Sequence, residues 1–184
     1  MTEVRIRYFD ALAAAAEAVT SSLKLEEVLA TIARSTVEAT RVKGCSILLL
    51  DEGCEVLVHT ASYGLSHEYL KKGAVDADRS VAEALHGGPV AVCDVATDAR
   101  VQYATEALRE GIASMLCVPL VAKGKVLGAI RIYSSKQGDF SPSTVELLSA
   151  IASLSALAIQ NAKMHEALKE AHQTCLRELW HLQP

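Results

Sequence analysis

The sequence predicts an α+β fold in which one antiparallel sheet is covered by helices from both ends of the chain. Three observations carry this. Two pairs of short apolar runs rich in branched residues are each joined by a connection too short for a crossover, so each pair reads as a hairpin. Apolar residues at helical spacing precede the first pair, and a proline-capped helix follows the second. At 184 residues, with 51% of them hydrophobic and 4% aromatic, the chain is expected to build one core in one domain.

Taken in order, Arg5 to Val19 is alanine-rich and helix-prone, and the Ser21-Ser22 break separates it from Leu25 to Thr40. That second helix repeats Leu25, Val28, Leu29, Ile32 and Val37 on one side. Gly44 introduces the strand CSILLLD, and EVLVHTAS follows the turn Asp51-Glu52-Gly53 to close the first hairpin. The middle is less regular. It reads as a short helix from Ser80 to Leu85, a short strand from Pro89 to Cys93, and a helix from Tyr103 to Glu110 before Gly111. Ser114 to Val121 and Lys125 to Tyr133 form the second hairpin around Ala122-Lys123-Gly124. Pro119 has no amide hydrogen and suits a position where that donor is not needed, while Gly128 marks a bulge or a close approach by another element. Ser141 before Pro142 is an N-cap followed by proline at the first helical position, so the last helix starts near Pro142.

A net charge of −4 without a basic cluster argues against direct nucleic-acid binding, whose affinity rests largely on Lys and Arg. The N-terminus MTEVRIRYFD lacks an apolar core of signal length, and no run is expected to approach the roughly eighteen residues needed to span a bilayer, so the expectation is a cytoplasmic protein without a membrane partner. The five cysteines, Cys45, Cys54, Cys93, Cys117 and Cys175, contain no CxxC pair and read as reduced thiols. Cys45 and Cys117 fall in apolar strands as small hydrophobes, and Cys54 and Cys93 are the expected exposed thiols. No two histidines lie at metal-ligand spacing. His59 could serve a single-histidine haem site, against the plainer reading of a satisfied strand histidine, and no cofactor is implied.

Several patterns together, Asp94 with Asp98-Ala99-Arg100, Gly111-Ile112 with Ser114, Val118-Pro119-Leu120, Gly128, Phe140 and the closing Ile159-Gln160-Asn161-Ala162, resemble the GAF family of small-ligand sensor and dimerisation domains. The resemblance covers residues 25–162, flanked by an N-terminal helix at 1–24 and a helical extension at 163–184, and implies a profilin-like sheet. It also implies a ligand held between one sheet face and the variable segment from Ser62 to Ile112. There the candidates are Tyr63, Ser80, Asp94, Tyr103 and Glu106, with Gln102 beside them. Arg131 and Tyr133 join them from the strand face opposite Ile130 and Ile132. A mid-sheet guanidinium can grip a carboxylate or phosphate; the competing reading is an arginine on the solvent side. Asp94 and Asp98 can equally cap turns. Lys136 and Phe140 match the signature of cyclic-nucleotide-binding members, but Ser135, Thr144 and Val145 stand where its asparagine and acids would be. No Cys-His pair supports a bilin.

The last helix, if it runs from Pro142 to Leu182, extends about 60 Å, longer than a globule of this size at about 40 Å, so part of it projects. A heptad recurrence places Leu147, Leu154, Asn161, Leu168, Cys175 and Leu182 in one row and Ile151, Ala158, His165, His172 and Leu179 in the next. Leu147, Ile151, Leu154, Asn161, Leu168 and Leu179 are thus candidates for a homodimer interface. Packing on the chain's own first helix is the alternative. The expected function is a sensory domain that binds an unknown small molecule and signals occupancy through a helical dimer to a partner such as a kinase, cyclase or transcription regulator. A ligand-free dimerisation module and a thiol-dependent enzyme resembling the methionine sulfoxide reductases are the other readings, and the reductases' cysteine motifs are not reproduced here.

Overall fold

The computed structural model describes residues 2–21, 24–51, 53–77 and 82–181, the side chains of 2, 21, 87, 176 and 178–181 excepted. Helices α1 (Thr2–Ser21) and α2 (Leu25–Thr40) lead into strands β1 (Gly44–Leu50) and β2 (Val56–Tyr63). The middle holds α3 (His67–Leu70), β3 (Val75–Asp76), α4 (Ala82–Gly87), β4 (Val90–Val92) and α5 (Ala104–Arg109). Then come β5 (Ser114–Ala122), β6 (Lys125–Ser134) and α6 (Pro142–His181). The strands form one antiparallel sheet in the order β3-β2-β1-β6-β5-β4, which places the two hairpins side by side through β1 and β6. Both predicted hairpins and all three long helices are present; α3 and β3 have too few residues to show a periodicity and were not anticipated.

Alternation along the central strands separates two faces. Cys45, Ile47, Leu116, Val118, Leu120, Ile130 and Ile132 are buried against a helical layer that includes Ala11 and Ala15 of α1, Leu29 and Ile32 of α2, and Leu148 and Ile151 of α6. Leu48, Leu57, Met115, Cys117, Ala129 and Tyr133 look the other way, under α3, α4 and α5. Gly128 holds β6 close to β1: a Cβ there would lie 2.0 Å from the Leu48 carbonyl oxygen. Pro119 falls beyond the reach of β4, which pairs only Met115 to Cys117, so its missing donor leaves no gap in that ladder.

α6 begins as its sequence signature predicts, with the Thr144 amide donating to Ser141 Oγ at 3.2 Å. Tyr8 Oη meets Thr144 Oγ1 at 3.0 Å, and α1 packs alongside from there. Against the expectation that no run approaches spanning length, α6 holds within Pro142–Cys175 an 18-residue window apolar enough to cross a membrane by length and composition; 44% of that window is buried, and the buried stripe is the core-facing side of the helix. Beyond Ala162 every described α6 side chain is exposed.

Candidate functional site

The layer beneath α3 and α5 is apolar at its centre and polar along one line of β6. Arg131, 4% exposed, stands between Ala129 and Tyr133 on this face, with Ser46 and Cys117 as its register partners on β1 and β5. Tyr133 is 1% exposed, and its hydroxyl shares a 2.8 Å hydrogen bond with Ser46 Oγ. Tyr69 of α3 meets the Tyr133 ring edge-on, centroids 5.9 Å apart. Burial works against the Arg131 cation, yet Cys117, Tyr133 and Tyr69 beside it leave its pKa above the ordinary arginine value. Burial raises the Tyr69 and Tyr133 hydroxyls, so both are neutral donors at neutral pH.

Two further nitrogen-bearing groups complete the layer. Lys72 follows α3 and lays its Nζ over the Tyr69 ring at 3.8 Å from the centroid and 3.3 Å from His59 Nε2 on β2. Burial, then Arg131, pushes Lys72 down to about 8 against the pull of Glu106 and Glu110. Burial, Lys72 and Arg131 together push His59 down to about 4. A cleft of about 260 Å³ opens beside them, lined by Ser66, Glu68, Tyr69, Lys72, Glu106, Arg109 and Glu110. Its wall is fastened by Glu110, whose carboxylate accepts from the Ser66 amide at 2.9 Å and from the Ser66 hydroxyl, with Lys43 3.7 Å away.

The residues expected from the sequence divide accordingly. Arg131 and Tyr133 share the buried face, and Arg131 is not on a solvent side. Glu106 lines the cleft. Tyr103 and Gln102 shape the layer from outside: the Tyr103 hydroxyl donates to the Ala74 carbonyl at 2.7 Å, and Gln102 bridges the Ala74 carbonyl and the Asp76 amide. Asp94 closes a turn by accepting from the Ala96 amide at 2.9 Å, and Asp98 holds Arg100, so both acids take the turn role. Tyr63 lies on the other side of the sheet. The register shift between Ile47 and Leu48 leaves Thr60 unpaired on β2, so Ala61 and Tyr63 follow Ile47 and Cys45 onto the helical face, where Tyr63 is 43% exposed. Ser80 lies outside the described residues. Sequence reasoning missed Tyr69, on an unrecognised turn of helix, and Lys72 just after it, and gave His59 no place at the site; its position on β2, facing the same side as Leu57, was the available signal.

The candidate dimer row is likewise divided. Leu147 and Ile151 are buried at 3% and 0% in the core of their own chain, because the start of α6 covers the sheet. Leu154 is half-buried, and Asn161 and Leu168 are exposed. The side chain of Leu179 lies outside the described residues. Leu157 and Met164, exposed at 47% and 59%, flank the free part of the row in place of Ile151 and Ala158. The thiols fall as expected. Cys45 and Cys117 are buried, while Cys54, Cys93 and Cys175 are exposed. Cys93 Sγ donates to Asp139 Oδ1 at 2.7 Å, a contact that raises its pKa. Among the described residues no group of three or more His, Cys, Asp or Glu side chains could hold a metal ion.

The family model described as GAF domain matches residues 22–160. Among curated proteins none matches this sequence. Among solved structures, the GAF domain of a phosphoenolpyruvate-protein phosphotransferase from Coxiella burnetii superimposes with a TM-score of 0.78 at 19% identity, over 88% of this chain and 98% of that one. A domain ascribed to a two-component sensor histidine kinase of Sinorhizobium meliloti 1021 gives 0.68 at 27% identity, over 79% and 97%. The free methionine-R-sulfoxide reductase of Neisseria meningitidis, solved with its substrate, gives 0.72 at 20% identity, over 86% and 91%.

Proposed function

We propose, starting from the fact that this chain belongs to the GAF domain family, that it senses a small anionic molecule and passes occupancy through α6 to a signalling partner. The observation that carries this reading is Arg131. A guanidinium 4% exposed on the central strand of a sheet is costly to bury, and in a core built for stability alone an apolar side chain of similar volume would serve as well. Beside it Tyr133, Tyr69 and Lys72 supply further donors, and Lys72 and Tyr69 reach the cleft lined by Glu106. A ligand carboxylate or phosphate held there would contact Tyr69 and Lys72, which lie against Tyr133 and near Arg131 of β6, and β6 shares a core with α6.

The output is proposed to run through a homodimer. Leu154, Leu157, Asn161, Met164 and Leu168 recur at coiled-coil spacing where α6 leaves the domain, and Leu157, Met164 and Leu168 are exposed among the described residues. Sedimentation of the wild-type chain at micromolar concentration is expected to give a dimer, and Leu154→Asp with Leu168→Asp a monomer; a wild-type monomer would sink the dimer reading. A cytoplasmic setting belongs to the same proposal.

The sensor reading is tested by native mass spectrometry of protein taken directly from cells, which should show a retained small molecule that Arg131→Met loses. A wild-type chain that retains nothing, with unchanged thermal stability in the presence of any small anion, would leave the ligand-free dimerisation module ahead. A thiol enzyme has the sulfoxide reductase fold neighbour in its favour. Against it, Asp139 holds the exposed Cys93 in its thiol form, and Cys117 is buried. Methionine sulfoxide should therefore be left unreduced.

A further inference from the structure

His59 is held in an unusual bonding state. A charged Lys72 ammonium has protons to donate and no lone pair, so across the 3.3 Å contact His59 Nε2 is the acceptor and the ring proton sits on Nδ1. Nδ1 is buried and finds no hydrogen-bond partner among the described residues. The site thus contains a buried N–H donor lacking an acceptor, an ammonium resting on an aromatic face, and a buried guanidinium, brought in by β2, the end of α3 and β6. An arriving oxyanion brings an acceptor and a negative charge to the two cations.

We propose that His59, Lys72 and Arg131 form one proton-coupled oxyanion site, in which a carboxylate or phosphate group of the ligand draws Lys72 away from His59 and the imidazole takes up a proton from solvent. The inference rests on the sensor reading above and extends it to the chemistry of recognition. Arg131 and Lys72 donate to the oxyanion. His59 Nε2, released by Lys72, accepts one proton, and the imidazolium then has a donor on each nitrogen. No bond to the ligand forms or breaks.

The charges around the ring set the direction. Lys72 at the end of α3 and Arg131 on β6 oppose a charge on His59, as does burial. Tyr69 on α3, Tyr133 on β6 and Cys117 on β5 surround Arg131, and Glu106 and Glu110 of the α5 segment act on Lys72. Glu110 is already engaged by Ser66 and Lys43. An anion between Lys72 and Arg131 cancels their repulsion of an imidazolium and leaves burial alone against it. Ligand affinity should therefore increase as pH falls from about 6.5, the ordinary histidine value, towards the free site's value of about 4.

The test is an NMR titration of the His59 ring in the full chain, without added anion and with sulfate or trifluoroacetate, probes that remain ionised across this window. Sulfate stands for a phosphate group and trifluoroacetate for a carboxylate, and the tighter binder identifies the source. The expected result is a His59 midpoint near 4 alone and one raised by about one unit or more with the probe, equivalent to about tenfold tighter binding of the charged form. His59→Gln should bind the same probe with an affinity that no longer varies with pH, and Arg131→Met should not bind it. A probe that binds at Arg131 while the His59 midpoint stays in place overturns the proton coupling and leaves the sensor reading standing. If neither probe shifts any resonance of His59, Lys72 or Arg131, the oxyanion site and the anionic-ligand reading fall together.

Discussion

The two faces of this sheet are built from alternate residues of the same strands, yet they are different materials. The helical face is covered by α1, α2 and α6, of 20, 16 and 40 residues. The buried side chains that α1 and α2 bring to it are aliphatic except Thr36, and α6 adds Thr144 at its start and Ser155. The Thr36 and Ser155 hydroxyls are satisfied locally, by the Ile32 carbonyl at 2.7 Å and the Ile151 carbonyl at 2.8 Å, and that of Thr144 meets Tyr8 Oη at 3.0 Å. The opposite face is covered by helices of four to six residues and carries Arg131, Ser46 and Tyr133 among its apolar groups. Long helices bury continuous apolar stripes and give the fold its cohesion. Short helices joined by turns bury less area and can separate from the sheet at lower cost, which a binding face requires. One surface of the sheet is built as a continuous apolar core, and the other carries the polar groups of the proposed site.

The sharpest way to break that contrast is to damage each face in turn. Leu148→Ala or Ile151→Ala, each removing a fully buried side chain of α6, should cost about 2–5 kcal/mol in denaturant unfolding while leaving sulfate affinity of the folded molecules unchanged. A loss below about 1 kcal/mol would mean that the helical face is not the main source of stability. Arg131→Met should do the reverse: anion affinity falls by about a hundredfold or more, as expected when a desolvated charge loses its partner, while unfolding stability changes less than in Ile151→Ala. Equal losses of stability from both substitutions would erase the distinction.

Acid should act first on the face that carries the proposed site. The folded His59 pKa, at about 4, lies below the unfolded value near 6.5, so the unfolded chain binds more protons between these limits. The contribution of His59 to stability is thus fully present above the unfolded value and is lost as pH falls through about 6.5 to about 4. Comparing melting temperatures of wild type and His59→Gln across this window should show the wild type falling more steeply; parallel curves would mean that the ring is solvated. The smallest effect is expected on the projecting half of α6. Leu168 is 70% exposed, so Leu168→Asp should change the stability of the isolated protomer by no more than about 0.5 kcal/mol. A larger loss, measured at a concentration where the chain is monomeric, would show that this part of the helix packs on its own domain.

What the sequence determined by itself is the part of the molecule governed by local rules. Periodicity located α2 from Leu25 to Thr40, short connections fixed both hairpins, and Ser141-Pro142 started α6, because capping, turn length and side-chain spacing act within a few residues. Alternation alone put Arg131 and Tyr133 on one face and Ile130 and Ile132 on the other. Tertiary structure decided which neighbours that face would have. A single extra residue at Thr60 turned Tyr63 away from it while leaving His59 upon it. One turn of helix at His67–Leu70, too short to announce itself, delivered Tyr69 and Lys72. The start of α6 was drawn into its own core, removing Leu147 and Ile151 from any outward-facing row. These outcomes depend on pairing register and on the burial of surfaces far apart in the chain, where the free energy is set by long-range packing rather than by the preferences of any one segment.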